Sequence, residues 1–419
     1  MSQKSVGEPA GNGGKRIAGL EARLGILTWF APMLVISVLV ALNPEHRTLI
    51  PLYRSAAGAW WAGKNLYDGP AGMNYLPQFA VLFSPFYFLP VPFGDILWRW
   101  CQAVVLSAGL WSLCKDVANS GMRQAEPLDA PCSPLTSSRI FFYASLITMP
   151  LCLAALRNGQ ANGLLAGLGL CSTALLARRK WWWAAASIVL AIGIKPLGIV
   201  MLLLAAAFYA PLRLRILTAI GLLAVFPFLF APAGYVSAQF YAFFTNIGKC
   251  AAVHQNRFAD IGGIMRTFGI EMPRPISVSV RIGAGGIFLW LWLAGAKRLG
   301  EPFRATWLLT LASTYLMLFN PMNEANSYVI LAPAFGLWAP AAFSAARRRW
   351  FGWLTVAICL SMSLFPALLH PVFGNYFALF WCPLMAAIFI SILAWLILGE
   401  GEEWSGKTLG AGCCVSHAA

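Results

Sequence analysis

Charge is what this chain of 419 residues has least of: charged side chains are 11% of it, with 15 acidic residues against 30 Lys plus Arg. A soluble domain carries about 25% charge, so a water-facing surface of ordinary polarity is excluded. The 10 cysteines show no zinc or redox spacing. Cys101, Cys114, Cys152, Cys171, Cys359 and Cys382 fall inside apolar runs and read as small buried residues, while Cys413 and Cys414 sit together in the tail. No internal repeat is visible. What the chain has instead is apolar sequence: 59% of residues are hydrophobic and the mean hydropathy is +0.69. The excess lies in long apolar runs, and such runs need a bilayer around them. The expected fold class is an all-α polytopic membrane protein. The net charge of +15 does not point to nucleic acid, because the basic residues fall in short clusters between apolar runs. There they set topology.

Those clusters fix the threading. They are the N-terminal tail (Lys4, Lys15, Arg16, Arg23), Lys115 with Arg123 and Arg139, Arg178-Arg179-Lys180, Arg213 with Arg215, Lys297-Arg298 with Arg304, and Arg347-Arg348-Arg349. If all lie in the cytoplasm, an even number of crossings separates each neighbouring pair. The first run, Leu24–Leu42, has 19 residues, longer than the usual signal-peptide core, and reads as an uncleaved first span. Leu76–Leu89 has 14 residues, so as a helix it would reach about 21 Å against a core of about 30 Å. Pro77, Pro85 and Pro90 interrupt or bound it, so it is placed in the outer interface. Ile96–Leu113 is then the second span. The rest pair as Ile140–Leu156 with Ala161–Ala177, Trp181–Ile194 with Leu197–Tyr209, Leu214–Ala231 with Val278–Ala296, Ala305–Phe319 with Ser327–Phe343, and Phe351–Leu369 with Tyr376–Leu398. The sum is about 12 spans with both ends in the cytoplasm. Residues 1–23 form an N-terminal tail, 24–398 the membrane domain with outer loops 43–95 and 232–277, and 399–419 a disordered C-terminal tail. Asn119–Ser138, with its prolines, reads as a cytoplasmic linker.

Every polar residue out of place in a membrane protein then falls on the outer face. In the first outer loop, Tyr53–Gly63 has helical composition and Trp and Tyr suited to an interface. It ends in the turn Lys64–Pro70, which holds Asp68, and runs on through Asn74-Tyr75-Leu76-Pro77. Arg157-Asn158-Gly159-Gln160-Ala161-Asn162 joins two spans. Its Asn and Gln side chains can cap backbone or bind sugar hydroxyls. Lys195 is the lone charge in the 29 residues Trp181–Tyr209. One helix of that length would be about 43 Å, too long for one span, so two short helices meet at Lys195-Pro196. A lysine at bilayer depth costs about 2.5–3.5 kcal/mol on insertion scales and is a functional candidate by default; snorkelling to the surface is the bland alternative. The second outer loop holds Lys249, His254, Gln255, Asn256, Arg257, Asp260 and Arg266, which cap the site or are merely solvated. Asn320–Tyr328 brings a carboxylate and several amides between two spans.

Taken together these positions resemble glycosyltransferase family 87, polyprenol-phosphate-mannose-dependent mannosyltransferases of the GT-C superfamily. The motifs that carry the resemblance are Ala57–Gly63 with Leu66-Tyr67-Asp68, Tyr75-Leu76-Pro77 leading to Leu82-Phe83-Ser84-Pro85 and Phe88-Leu89-Pro90, Gly159-Gln160-Ala161-Asn162, Lys195-Pro196, and Asn320-Pro321 with Asn323-Glu324 and Tyr328 before Leu331-Ala332-Pro333. The resemblance implies a GT-C-like bundle with interfacial helices in the first outer loop. It also implies a hexose, mannose in the family's case, moved with inversion from a polyprenyl-phosphate donor to an outer-face glycolipid or glycan acceptor. The setting implied is the bacterial inner membrane. No cofactor is expected, a divalent cation being the one alternative, and the partners are donor, acceptor and lipid bilayer, without nucleic acid.

Such chemistry needs a carboxylate base for the acceptor hydroxyl and a cation or donors for the leaving phosphate. The family places an Asp shortly after the first span, where this chain has Thr48 or Leu49, and a His near the later loop, where it has Asn323 and Glu324. Glu45 is therefore ranked first as base and Glu324 second. Lys195, Tyr75, Gln160, Asn162, Asn323, Asp68 and Arg157 are the expected substrate-binding residues. A lipid-sugar transporter or flippase, and an inactive relative, remain the competing readings; the chain shows neither the inverted repeats nor the midplane polar residues of transporters.

Overall fold

The computed structural model describes residues 12–68, 73–122, 136–250, 258–321, 323–344, 346–374 and 376–404. Among them there is no strand. The helices in order are α1 (Asn12–Leu42), α2 (Ile50–Trp61), α3 (Pro77–Tyr87), α4 (Val91–Met122), α5 (Ser137–Asn158), α6 (Asn162–Ala177), α7 (Trp181–Ile194) and α8 (Ile199–Phe208). They continue with α9 (Arg213–Val225), α10 (Ala233–Cys250), α11 (Ile261–Thr267), α12 (Arg274–Arg298), α13 (Phe303–Phe319), α14 (Ala332–Phe343), α15 (Arg349–Phe373) and α16 (Tyr376–Trp404). The residues 1–11, most of the linker expected at 119–138, His254 to Arg257 and the tail from 405 with both of its cysteines lie outside the described residues, as does the side chain of Lys249. α16 runs five residues past Gly399, where the C-terminal tail was expected to begin.

Among the described residues six helical stretches are long and apolar enough to cross a membrane: Ile17–Leu42, Ser137–Asn158, Ala210–Leu229, Arg274–Arg298, Arg349–Phe373 and Tyr376–Gly399. The apolar stretches Asn162–Ala177, Trp181–Ile194, Pro196–Phe208 and Phe303–Phe319 are shorter. Two of these form a hairpin. Lys195 is extended, with φ −149° and ψ 130°, because the following proline disfavours the helical region for it. The chain then turns back, so that Trp181 at the start of α7 and Tyr209 just past α8 bring their rings within 5.7 Å. A continuous helix would hold these two ends about 40 Å apart.

Polar links sort the loops into two ends. At one, Glu21 pairs with Arg139 at 2.7 Å, Asp116 with Arg178 at 3.0 Å, and the Tyr209 hydroxyl donates to Glu301 at 2.9 Å. At the other, the turn after α5 meets Thr48, Lys195 and Glu324, and Gln239 of α10 accepts from Leu66 N at 3.0 Å.

Close backbone contact holds the helices that carry the second end. A Cβ on Gly167 of α6 would stand 2.8 Å from Leu106 N of α4. Only a glycine permits that approach, the usual way apolar helices pack without a hydrophobic drive between them. α3, expected in the outer interface, spans 11 residues, about 16 Å. Gln78, Phe79, Ala80, Val81, Phe83 and Ser84 are all buried on it, and Phe79 meets Tyr53 of α2 edge-on at 4.9 Å. The outer loop expected at 232–277 contains α10 and α11. α10 buries Val236, Gln239 and Phe243 at helical spacing and exposes Tyr241 and Phe244.

Candidate active site

Five segments far apart in sequence meet where α5 ends. α5 stops at Gly159, whose φ of 69° is left-handed, a conformation that a residue with a Cβ adopts only under strain. The chain then leaves the helix and turns Gln160 and Asn162 inward, 4% and 1% exposed. Lys195 arrives from the α7–α8 hairpin, Glu324 and Ser327 from the link between α13 and α14, and Tyr53 and Tyr75 from the first loop region.

Their hydrogen bonds form one directed chain. The Lys195 ammonium donates to Asn162 Oδ1 at 2.8 Å. Asn162 Nδ2 donates to Gln160 Oε1 at 3.1 Å and to Ser327 Oγ at 3.1 Å. Gln160 Nε2 donates to Glu324 Oε2 at 2.7 Å. Every amide points the same way, from a group that can only donate to one that, ionised, can only accept. Aligned bonds of this kind polarise one another, and an unmade bond in so closed a place costs about 1–3 kcal/mol. The two ends of the chain, Lys195 and Glu324, are half-buried, whereas the amides between them are closed off. The charges are thus the more exposed parts of the chain.

Tyrosines wall this site. Ala161 N donates to the Tyr53 hydroxyl at 3.2 Å, and that hydroxyl stands 2.9 Å from the hydroxyl of Tyr75. Lys195 Nζ lies 5.8 Å from the centre of the Tyr75 ring, within cation–π range. Tyr67 donates to Tyr75 O at 2.8 Å and so fixes the loop that carries it.

The remaining candidates stand elsewhere. Asn323 is fully buried, but its Nδ2 holds Ala259 O at 3.2 Å and Met317 O at 2.9 Å, binding the α13–α14 link to the loop before α11. In that loop Asp260 accepts from Gly263 N at 2.6 Å, and burial pushes its carboxyl up to about 6. Asp68 is exposed and accepts from Asn65 Nδ2 at 2.6 Å. Arg157 is half-buried with Nη2 at 3.5 Å from His46 Nδ1, outside hydrogen-bonding reach of the chain described above. Glu45 is exposed in the turn after α1, and no described residue bonds to its carboxylate. Tyr53 and Ser327 belong to the site although the sequence did not mark them as binding residues. Among the described residues no group of three or more His, Cys, Asp or Glu side chains is placed to hold a metal ion.

The family model of glycosyltransferase family 87 matches residues 74–321, more than half of the chain. The chain belongs to glycosyltransferase family 87. With its long apolar helices this makes it a membrane glycosyltransferase. The family 87 match takes in Tyr75, Arg157, Gln160, Asn162 and Lys195 and ends just before Asn323 and Glu324. No curated protein matches the chain.

Proposed function

We propose that this family 87 protein transfers a hexose, mannose being the family's case, from a polyprenyl-phosphate donor to a hydroxyl of a glycolipid or glycan acceptor, with inversion. The reaction is placed at the outer face of a bacterial inner membrane. The observation that carries the reading is the hydrogen-bonded chain with a half-buried ammonium at one end and a half-buried carboxylate at the other. Inverting transfer needs those two charges on opposite sides of the anomeric carbon. Glu324 takes the proton of the acceptor hydroxyl; the freed oxygen attacks C1; the C1–O bond to phosphate breaks; and polyprenyl phosphate leaves against Lys195. The buried amides hold the two charges at a fixed separation, so little reorganisation is left for the reaction itself.

Of the two carboxylates that the sequence leaves open, we take Glu324 as the base because Gln160 holds it in place. Glu45→Gln is expected to keep transfer within about twofold, the scale of a surface change that touches no structural feature. Loss of transfer in that variant would move the base to Glu45. The reading assigns no cofactor, and abolition of transfer by a chelator would add a divalent cation.

The direct test is purified protein in liposomes supplied with radiolabelled polyprenyl-phosphate hexoses and a bacterial lipid extract. The expected product is a labelled glycolipid or glycan of opposite anomeric configuration. Label that crosses the bilayer still on its polyprenyl carrier would favour a flippase, and no movement with any hexose would favour an inactive relative. The sidedness is tested separately. Reporter fusions at Lys180 and Gly262 should report cytoplasm and exterior respectively, because charge parity puts the two on opposite faces. Both on one side would overturn the threading of about 12 spans.

A further inference from the structure

Arg99 lies in α4, in the run Ile96–Leu113 that the sequence reads as a span, and it is 1% exposed. A buried charge carries a penalty of several kcal/mol unless it is paired. Its obvious partner is taken, since the Asp95 carboxylate bonds Arg54 at 2.7 Å. Arg99 bonds only neutral oxygens instead. Nε and Nη2 donate to Arg157 O at 3.2 and 3.1 Å, Nη1 to Asp95 O at 3.0 Å, and Nη2 also to Thr48 Oγ1 at 2.9 Å. The neighbours of Arg99 on α4 continue the pattern. Trp98 Nε1 donates to Gly159 O at 2.8 Å, and the Gln102 amide, in the orientation that satisfies both its nitrogen and its oxygen, donates to Gln160 O at 2.6 Å. Asn158 O accepts from Leu49 N at 3.0 Å. Every carbonyl from 157 to 160 is therefore held from outside its own helix.

Capping alone does not require this. A glycine cap already supplies the usual backbone closure, with Gly159 N on Leu156 O at 3.2 Å and Gln160 N on Ala155 O at 3.2 Å. A planar guanidinium does what a neutral cap cannot: its fixed fork of donors locks several acceptors in one plane. Here those acceptors belong to α4 itself, to the end of α5 and to Thr48, two residues before α2, the helix that carries Tyr53.

We propose that Arg99 is a positioning residue for transfer: it fixes the 157–160 turn and thereby sets where Gln160 holds Glu324. The kinetic part rests on the reaction proposed above; the local ordering does not. Two variants test it, Arg99→Met, which removes all four bonds, and Arg99→Lys, which keeps the charge and can still reach a carbonyl. Two measurements are made on each, in liposomes.

The first is steady-state kinetics. Arg99→Met should lower kcat roughly tenfold, the scale of a misplacement well under 1 Å, and leave the donor KM within about twofold, because the backbone that carries Lys195 is set by its own hairpin and Asn162, its hydrogen-bond partner, starts α6 beyond the four held carbonyls. Arg99→Lys should recover part of the loss. The second is hydrogen exchange followed by mass spectrometry. Exchange should quicken in peptides around 157–165 and 324–331 and stay unchanged in α12 and α15. Unchanged kcat per folded molecule, or exchange that quickens evenly along the chain, overturns the proposal, since either means that Arg99 only supports the fold. If the wild-type protein transfers no sugar, the proposed reaction falls while the exchange pattern still decides whether Arg99 orders this turn.

Discussion

Glu324→Gln is expected to lower kcat by about 10²–10⁴, the contribution of a well-placed general base, with the donor KM nearly unchanged. Glutamine has the shape of the glutamate it replaces, and its Oε1 can still accept from Gln160 Nε2, the bond of 2.7 Å that places the side chain. The chain from Lys195 through Asn162 to Gln160 therefore stays in register. What disappears is the ability to take a proton. An interaction made only in the transition state shows as a loss in kcat and kcat/KM together, not in KM. The measurement is transfer from polyprenyl-phosphate hexose in liposomes, with thermal unfolding of the purified variant as the control for folding. A kcat within tenfold of wild type would remove Glu324 from the role of base, and Glu45→Gln would then decide between the two.

The helices were legible because apolar length and basic clusters are local properties. α7 and α8 follow from one residue: Lys195, ahead of a proline, breaks a run that would otherwise be too long, and the ring contact of Trp181 with Tyr209 shows the resulting hairpin. α10 escaped the same reasoning. It lies in a segment of mixed polarity, where an amphipathic helix is visible only by asking which residues share one side, and Val236, Gln239 and Phe243 do.

The site was legible as a set of residue types but not as a geometry. Gln160, Asn162, Lys195 and Glu324 stand out as polar residues beside apolar runs, yet nothing local says that Gln160 reaches across 164 positions to Glu324. Asn323 and Glu324 are neighbours with opposite duties, one holding backbone and the other facing the site, and spacing alone cannot separate them. Arg99 was open to the argument applied to Lys195, a charge within an apolar span. Its place near one end of the run Ile96–Leu113 lets it pass as a flanking charge.

Lys195→Met is expected to weaken donor binding by one to two orders of magnitude. The ammonium is the only charge in its hairpin, and a charge-assisted bond to phosphate in such surroundings is worth about 1.5–3 kcal/mol, at tenfold per 1.4 kcal/mol. Methionine keeps an unbranched apolar stem, so the hairpin should still form. Lys195 donates to Asn162 Oδ1 at 2.8 Å, and without it that buried oxygen loses its donor at a cost of about 1–3 kcal/mol. Thermal stability should therefore fall together with affinity. Lys195→Arg separates the two effects: the guanidinium can still donate to Asn162, but its plane and reach differ from those of a compact ammonium, so stability should recover more than affinity. The measurement is binding of polyprenyl-phosphate hexose to the protein in nanodiscs, set beside the unfolding temperature of each variant. Full donor affinity in a folded Lys195→Met protein would leave this lysine with a structural bond to Asn162 and no part in holding the phosphate.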